Sequence, residues 1–231
     1  METSLHKQLK SIYGGRRAEF EVPVGPYRVD VVDRGRLIEI QHGSLTAIRD
    51  KVRQLLDDGH RVTVVKPIVA RKRLVKRAEK RGEVVDRRLS PKRGRLLDLF
   101  DELVHFTRTF PHRRLVLDVP LVEIEELRYP GHGRRRRWRE NDHVVEDQRL
   151  IEVLETRRFR TGRDLARLIE SPLPDPFHTG HLAESLHVPR WIAQRIAYCL
   201  RHAETIRQVD KHGNAALYRF VGRRAANKPA A

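Results

Sequence analysis

The 231-residue sequence predicts an α/β protein whose final third turns helical and then hairpin-like. Three observations carry this prediction. Alternating apolar runs interleave with 3.6-period segments up to about residue 130; Pro, Gly and five arginines interrupt every periodicity in YPGHGRRRRWRENDH; and helix-entry signals dominate the remainder of the chain. The expected division is an α/β domain over 1–128, a basic linker over 129–145, a helical domain over 146–222 and a tail over 223–231.

SLHKQLKSIY has the spacing of an amphipathic helix, and EFEVPV that of a strand. YRVDVVDRGRLIEIQHGS, residues 27–44, reads as a β-hairpin closing through Arg34-Gly35. LTAIRDKVRQLLDDG is the next helix, ending at Gly59, and RVTVVKPIV a buried strand. RKRLVKRAEKRGEVVDRR is too charged for a core. Ser90-Pro91 offers an N-cap and first-turn proline for a helix through RGRLLDLFDELVHF, and RRLVLDVPLVEIEEL returns as a strand. In the last third, VVEDQRLIEVLETRRF groups Leu150, Val153 and Leu154 as a helix face. Thr161-Gly-Arg-Asp164 then caps a further helix, and Thr179 caps HLAESL after a repeated F-x-T-G entry.

The hairpin raises a chemical question. Pairing through Arg34-Gly35 sets Asp33 against Arg36 and Asp30 directly opposite Glu39, and like charges so placed repel. A divalent cation between them would turn the repulsion into a site, with Gln41 on the same face. Charges pointing into water would satisfy the same pattern.

Composition narrows the partners. Lys+Arg number 48 against 31 Asp+Glu, a formal net charge of +17, which favours a polyanion such as nucleic acid. No apolar run reaches the length of a membrane span, and METSLHKQLK has no apolar signal core, so the expected location is cytoplasmic with no membrane partner. Cys199 is single, and in IAYCL it reads as a packed thiol. Arg134, Arg135, Arg136, Arg137 and Trp138 describe a phosphate-tracking arm or a solvated loop. His178, His181 and His187 have no Cys partners or zinc-ligand spacing, and no GxxxxGK[ST] phosphate loop is present.

Two family resemblances emerge. HLAESL, the turn His187-Val188-Pro189, RWIAQRIAYCLRH and the hairpin around Asp210-Lys-His-Gly-Asn214 together resemble a winged-helix domain. That likeness implies nucleic-acid contacts by Arg190, Gln194, Arg195 and Arg201, with Lys211 and His212 at the wing. The opening helix, the hairpin bearing Asp30 and Glu39-Ile40-Gln41, the next helix and the buried strand resemble the PD-(D/E)XK nuclease superfamily. The full expectation is a restriction-endonuclease-like mixed sheet flanked by helices, followed by a winged helix. The superfamily implies metal-dependent phosphodiester hydrolysis, with Mg²⁺ or Mn²⁺ on Asp30 and Glu39, the Ile40 carbonyl completing the shell and Glu2 as an additional acid. Gln41 stands where the superfamily usually has lysine, so it can orient water but brings no positive charge; Lys51 is the nearest candidate for that charge.

DNA is the expected ligand, and a two-fold dimer would suit a two-strand substrate. A non-catalytic DNA-binding regulator and an RNA-binding factor are the alternatives from other functional classes.

Overall fold

The computed structural model describes residues 2–131 and 142–222. Helix α1, Ser4–Tyr13, begins where the Thr3 side chain accepts from the His6 N–H, and it buries Leu5 and Leu9 completely. Strands β1 (Glu19–Val24), β2 (Tyr27–Asp33) and β3 (Arg36–Ile40) form an antiparallel meander. The β2–β3 register is the expected one, with Asp33 opposite Arg36 and Val31 opposite Ile38. Arg34 and Gly35 both have positive φ (50° and 71°), the geometry of a two-residue turn that matches strand twist.

After a 3₁₀ turn at Leu45–Ile48, helix α2 (Arg49–Asp57) buries Val52, Leu55 and Leu56 and delivers the chain to β4, Arg61–Val65. β4 runs parallel to β3. Strands β5 (Ile68–Arg77) and β6 (Val84–Leu89) come next, then helix α3 (Leu99–Leu103), the long β7 (Leu115–Pro130) and the long β8 (His143–Phe159). β8 occupies one edge of β7 from Leu117 to Pro130, so β4 and β5 share the other edge as one line broken at Lys66-Pro67. All eight strands belong to one mixed sheet.

The sheet is covered on both faces. Val31, Ile38, Ile40, Val65, Val122 and Ile124 pack beneath Leu5 and Leu9 of α1. Leu37, Val62, Val64, Leu117 and Val119 form the opposite core with α2 and α3. That second core continues into helix α6, Arg190–His202, through Ala193, Ile196, Cys199 and Leu200. Cys199 is buried there as expected, its Sγ 3.7 Å from the Phe100 carbonyl oxygen.

Between β8 and α6 lie α4 (Gly162–Ala166) and α5 (Thr179–Leu186); after α6, β9 (Ile206–His212) and β10 (Ala215–Phe220) form a hairpin. Phe177 bridges Tyr218 and packs its ring against Tyr218 and Phe220. Thr161 and Asp164 form the expected capping box of α4. Thr161→Ala is expected to cost about 1 kcal/mol, lowering the midpoint of a thermal melt by about 3 °C.

Four expectations need correction. Residues 146–159 are not helical but belong to β8, so the helical part starts after Phe159. The apparent helix spacing arises from bulges: Leu150 pairs with Ile124 and Val153 with Val122, while Ile151 and Leu154 fall outside the register and are exposed. The bulges make inward-facing residues recur every three positions instead of every two. The charged run after Ala70 is the β5–β6 hairpin, with Leu74 and Val75 buried between its charges. Ser90 caps no helix. Its N–H extends the pairing with β5 by donating to Lys72 O, and helical structure begins only at Leu96. The cap of α5 is His178 rather than Thr179; its Nδ1 accepts from Gly180 and His181 N–H, and its ring stacks on His181.

Candidate active site

The hairpin carboxylates stand on adjacent strands where β2 and β3 begin to part, Asp30 turned to His6 and Lys10 of α1 and Glu39 to Lys51 of α2. Instead of the backbone ladder continuing to Asp30 and Glu39, Asp30 Oδ2 accepts from the Ile40 N–H at 2.8 Å. The Asp30 backbone N–H in turn favours ionised Glu39. Each side chain thus takes part in the main-chain pairing that it interrupts.

Both carboxylates are already matched by cations. Lys10 Nζ, from α1, lies 2.7 Å from Glu2 Oε1 and 3.2 Å from Asp30 Oδ1, and it also pairs with Glu21. His6 Nε2 sits 3.1 Å from Asp30 Oδ1 and 3.7 Å from Glu2 Oε1. Glu2 precedes the Thr3 cap, so it reaches the cluster from just ahead of α1 rather than from within it. On the α2 side, Lys51 Nζ is 2.5 Å from Glu39 Oε1 and donates to the Arg28 carbonyl. Glu39 Oε1 has no well-directed hydrogen bond, so Lys51 meets it as a charge rather than as an aligned donor.

The electrostatics of the two acids differ. Burial alone would raise the Asp30 pKa, but His6, the Ile40 N–H and Lys10 hold it below the ordinary carboxylate value. Burial pushes Glu39 up, against the opposing pull of Lys51. Lys10 is subject to the same burial, yet its bonds to Glu2 and Glu21 and the charge of Asp30 raise its pKa. Glu2 is lowered, mainly by its bond to Lys10.

Gln41 lies just past β3. Its N–H donates to Val65 O and its Nε2 to Ser44 O at 2.8 Å, which leaves the side-chain oxygen as the free acceptor. Behind it, the buried Lys66 Nζ contacts His42 O at 3.1 Å, Gly43 O at 2.5 Å and Glu102 Oε1 at 3.3 Å. Burial lowers the pKa of His42 and is joined by the charges of Lys66 and Lys72.

Asp30, Glu39 and Glu2 supply oxygen donors, the chemistry a hard divalent cation selects. Among the described residues no group of three His, Cys, Asp or Glu side chains forms a ready cation cage. Mg²⁺ does not require one: it is held through one or two carboxylates while keeping several waters. The ammonium of Lys10 between Glu2 and Asp30 marks the point where positive charge is already stabilised. Glu2 and Asp30 are thus close enough to share one cation, and the one they share here is the Lys10 ammonium.

The other sequence candidates are dispersed. Arg190, Gln194 and Arg201 are exposed along α6, and Lys211 and His212 at the β9–β10 tip. Arg195 instead bonds Asp101 of α3 at 2.8 Å and lies over the Trp191 ring at 4.8 Å, which ties α6 to the sheet's helix layer. Arg134 to Arg137 and Trp138 lie outside the described residues. Sequence reasoning missed His6, Lys10 and Lys66. The first two were legible as Glu2, His6 and Lys10 at intervals of four, while nothing around Lys66-Pro67 announces an inward-pointing amine.

Residues 3–160 match the family described as "Domain of unknown function (DUF8091)". The chain belongs to that family. The match runs from α1 through β8 and so contains every strand of the mixed sheet, together with Asp30, Glu39, Gln41 and Lys51. Among similar proteins is an uncharacterized protein of Treponema pallidum (strain Nichols), 29% identical over 185 residues that cover 80% of this chain and 72% of that one. No solved structure matches the chain significantly. No helix among the described residues is long and apolar enough to cross a membrane.

Lys51 is the cation that opposes burial at Glu39. Lys51→Met is expected to move the Glu39 titration further upward, as read by carboxyl-carbon NMR. An unmoved midpoint would show that Lys51 does not set the charge of Glu39.

Proposed function

We propose that this DUF8091 protein is a metal-dependent nuclease of the PD-(D/E)XK type, with a C-terminal winged-helix module that binds DNA. The observation that carries the reading is the placement of Asp30 and Glu39 on adjacent strands where β2 and β3 part, with Asp30 Oδ2 on the Ile40 N–H and Lys51 beside Glu39. The element order supports it: α1, a three-stranded antiparallel meander, α2 and a parallel β4. Lys51 answers the departure at Gln41, because the ammonium missing from the motif arrives from α2. For the second module, the support is the succession α4, the Phe177–Tyr218 bridge, α5, α6 and the β9–β10 hairpin.

Asp30 and Glu39, with Glu2 alongside, would hold Mg²⁺ or Mn²⁺. Bound there, the ion would polarise the scissile phosphate and acidify a coordinated water. The chain's own groups do the rest. The Gln41 side-chain oxygen, fixed by the Nε2 bond to Ser44, orients the attacking water. Lys51 offsets charge developing beside Glu39.

A second reading, a DNA-binding regulator with a silent nuclease-like core, draws support from the lysines that already neutralise both carboxylates. Labelled four-way-junction, flap, linear-duplex and single-stranded DNA incubated with Mg²⁺, Mn²⁺ or EDTA separates the two. Metal-dependent cutting that disappears in Asp30→Asn supports the nuclease. Tight binding without cutting under any condition supports the regulator.

A further inference from the structure

Among the described residues, a concentration of positive charge outside the acid cluster lies where the sheet extends past the end of β3. There β5, β6 and β7 border a groove of about 590 Å³. Arg71 and Arg73 from β5, Arg87 and Arg88 from β6 and Arg93 from the loop after β6 line it. The acids that line it with them are Glu123 and Glu125 of β7, so five arginines border the groove against two carboxylates.

The protein does not consume this charge internally. Glu123 takes Arg73 at 2.8 Å and lies 3.9 Å from Arg71, and Glu125 takes Arg87 at 3.5 Å. Two carboxylates cannot saturate five guanidinium groups with five N–H donors each. Arg71, Arg73 and Arg87 keep 61%, 56% and 67% of their side-chain surface in solvent. Every residue of β6 is exposed, so neither helix layer covers this end of the sheet. Mutual repulsion makes such a cluster costly in the free protein, and a bound polyanion removes that cost. Arginine rather than lysine fills all five places, and its planar fork matches phosphate oxygens two at a time.

The geometry is also that of a track. Arg71 and Arg73, two residues apart on one strand, are separated by about 7 Å, a spacing at which they can meet successive phosphates of one strand. Ile40 pairs with Val65, Val65 with Asp118 and Arg71 with Glu123, so Arg71 lies five β7 residues farther along the sheet, Ala70 being bulged out of register. That is about 17 Å at strand rise, or the axial rise of roughly five base pairs.

We propose that this groove binds the phosphodiester backbone of duplex DNA, about five base pairs to one side of the Asp30–Glu39 site. The groove takes its ligand from the proposed function, but its binding does not depend on catalysis. It is therefore tested in EDTA, where binding can be present whether or not the protein cuts.

Fluorescence anisotropy would track the full chain binding a labelled 24-base-pair DNA duplex, and an RNA duplex of the same sequence, across about 50–300 mM salt. The variants are Arg71→Gln/Arg88→Gln/Arg93→Gln, which spares the shorter Glu-bound pairs, and the corresponding triple Lys variant, each checked by thermal melt. The Gln triple is expected to flatten the log–log salt dependence by about 2 to 3 and weaken DNA binding at least about tenfold near 150 mM salt. The Lys triple is expected to keep most of the slope. An unchanged slope in a folded Gln triple overturns the groove as a DNA surface. So does a wild type that prefers the RNA duplex, with the loss confined to RNA.

Discussion

Asp30→Asn is expected to reduce Mg²⁺- or Mn²⁺-dependent cutting of DNA by at least about 100-fold, the scale on which loss of one electrostatic stabiliser acts. DNA binding in EDTA should change little, and the melt should stay cooperative, its midpoint lowered only by the stability that ionised Asp30 supplies. The choice of Asn stems from the geometry, because its side-chain oxygen can still accept from the Ile40 N–H, whereas Ala would orphan that donor at a cost of about 1–3 kcal/mol. The substitution thus removes charge while keeping the parting of β2 and β3 in place.

A second readout distinguishes lost chemistry from disturbed structure. Asp30 is held below its ordinary pKa, so its ionised form contributes stability that is present above the unfolded value and lost as pH falls through the folded one. Asp30→Asn should therefore lose less stability than wild type on acidification below the ordinary carboxylate range. Cutting retained by the well-folded variant would remove Asp30 from the mechanism. Cutting lost together with the cooperative melt would point instead to a structural role for the carboxylate.

The parts of this protein governed by local rules were legible in the sequence. Alternation and the Arg34-Gly35 turn set the β2–β3 register, and the apolar spacing in SLHKQLKSIY set the buried face of α1. The hidden parts depend on distant partners. Residues 146–159 read as a helix because three bulges against β7 change the spacing of the inward residues. The run RKRLVKR reads as solvent-facing because its charges outnumber Leu74 and Val75, although its alternation puts Arg71 and Arg73 into a shared groove. The same distinction divides the candidate site. The hairpin puts Asp30 and Glu39 on adjacent strands, but the ladder stops at Val31–Ile38, and where their side chains turn, like the direction of Lys51 and the convergence of His6 and Lys10, depends on where α1 and α2 cross the sheet.

Lys66 is the clearest case of function resting on a residue with no local signal, and Lys66→Ala is expected to be among the most destabilising single changes. Its side chain is 7% exposed and joins three elements: the break between β4 and β5, the His42-Gly43 loop, and Glu102 of α3. Glu102 passes the connection on by accepting from the Leu45 N–H at 2.9 Å. Removing the ammonium leaves two carbonyls and a carboxylate without their cation, and breaking a buried pair from one side costs about 3–5 kcal/mol. For a chain of this length that corresponds to a fall in Tm of roughly 10 °C.

Because the clamp holds the loop that carries Gln41 and Ser44, any cutting activity should fall as well, even though Lys66 acts only as a positioning residue. Lys66→Met/Glu102→Gln provides the control: it removes the carboxylate charge left without its cation while the Gln oxygen can still accept from the Leu45 N–H, so part of the lost stability should return with the loop still less firmly held and activity low. The pH dependence gives an independent signature. Burial lowers the Lys66 pKa beneath its ordinary 10.5, so the fold disfavours the charged form; wild-type stability should rise as pH climbs through the folded pKa toward the unfolded one. Lys66→Met should lack that rise. A Lys66→Ala melt within about 1 °C of wild type would mean that the loop is held by its backbone bonds, such as Gln41 N–H to Val65 O, rather than by the buried amine.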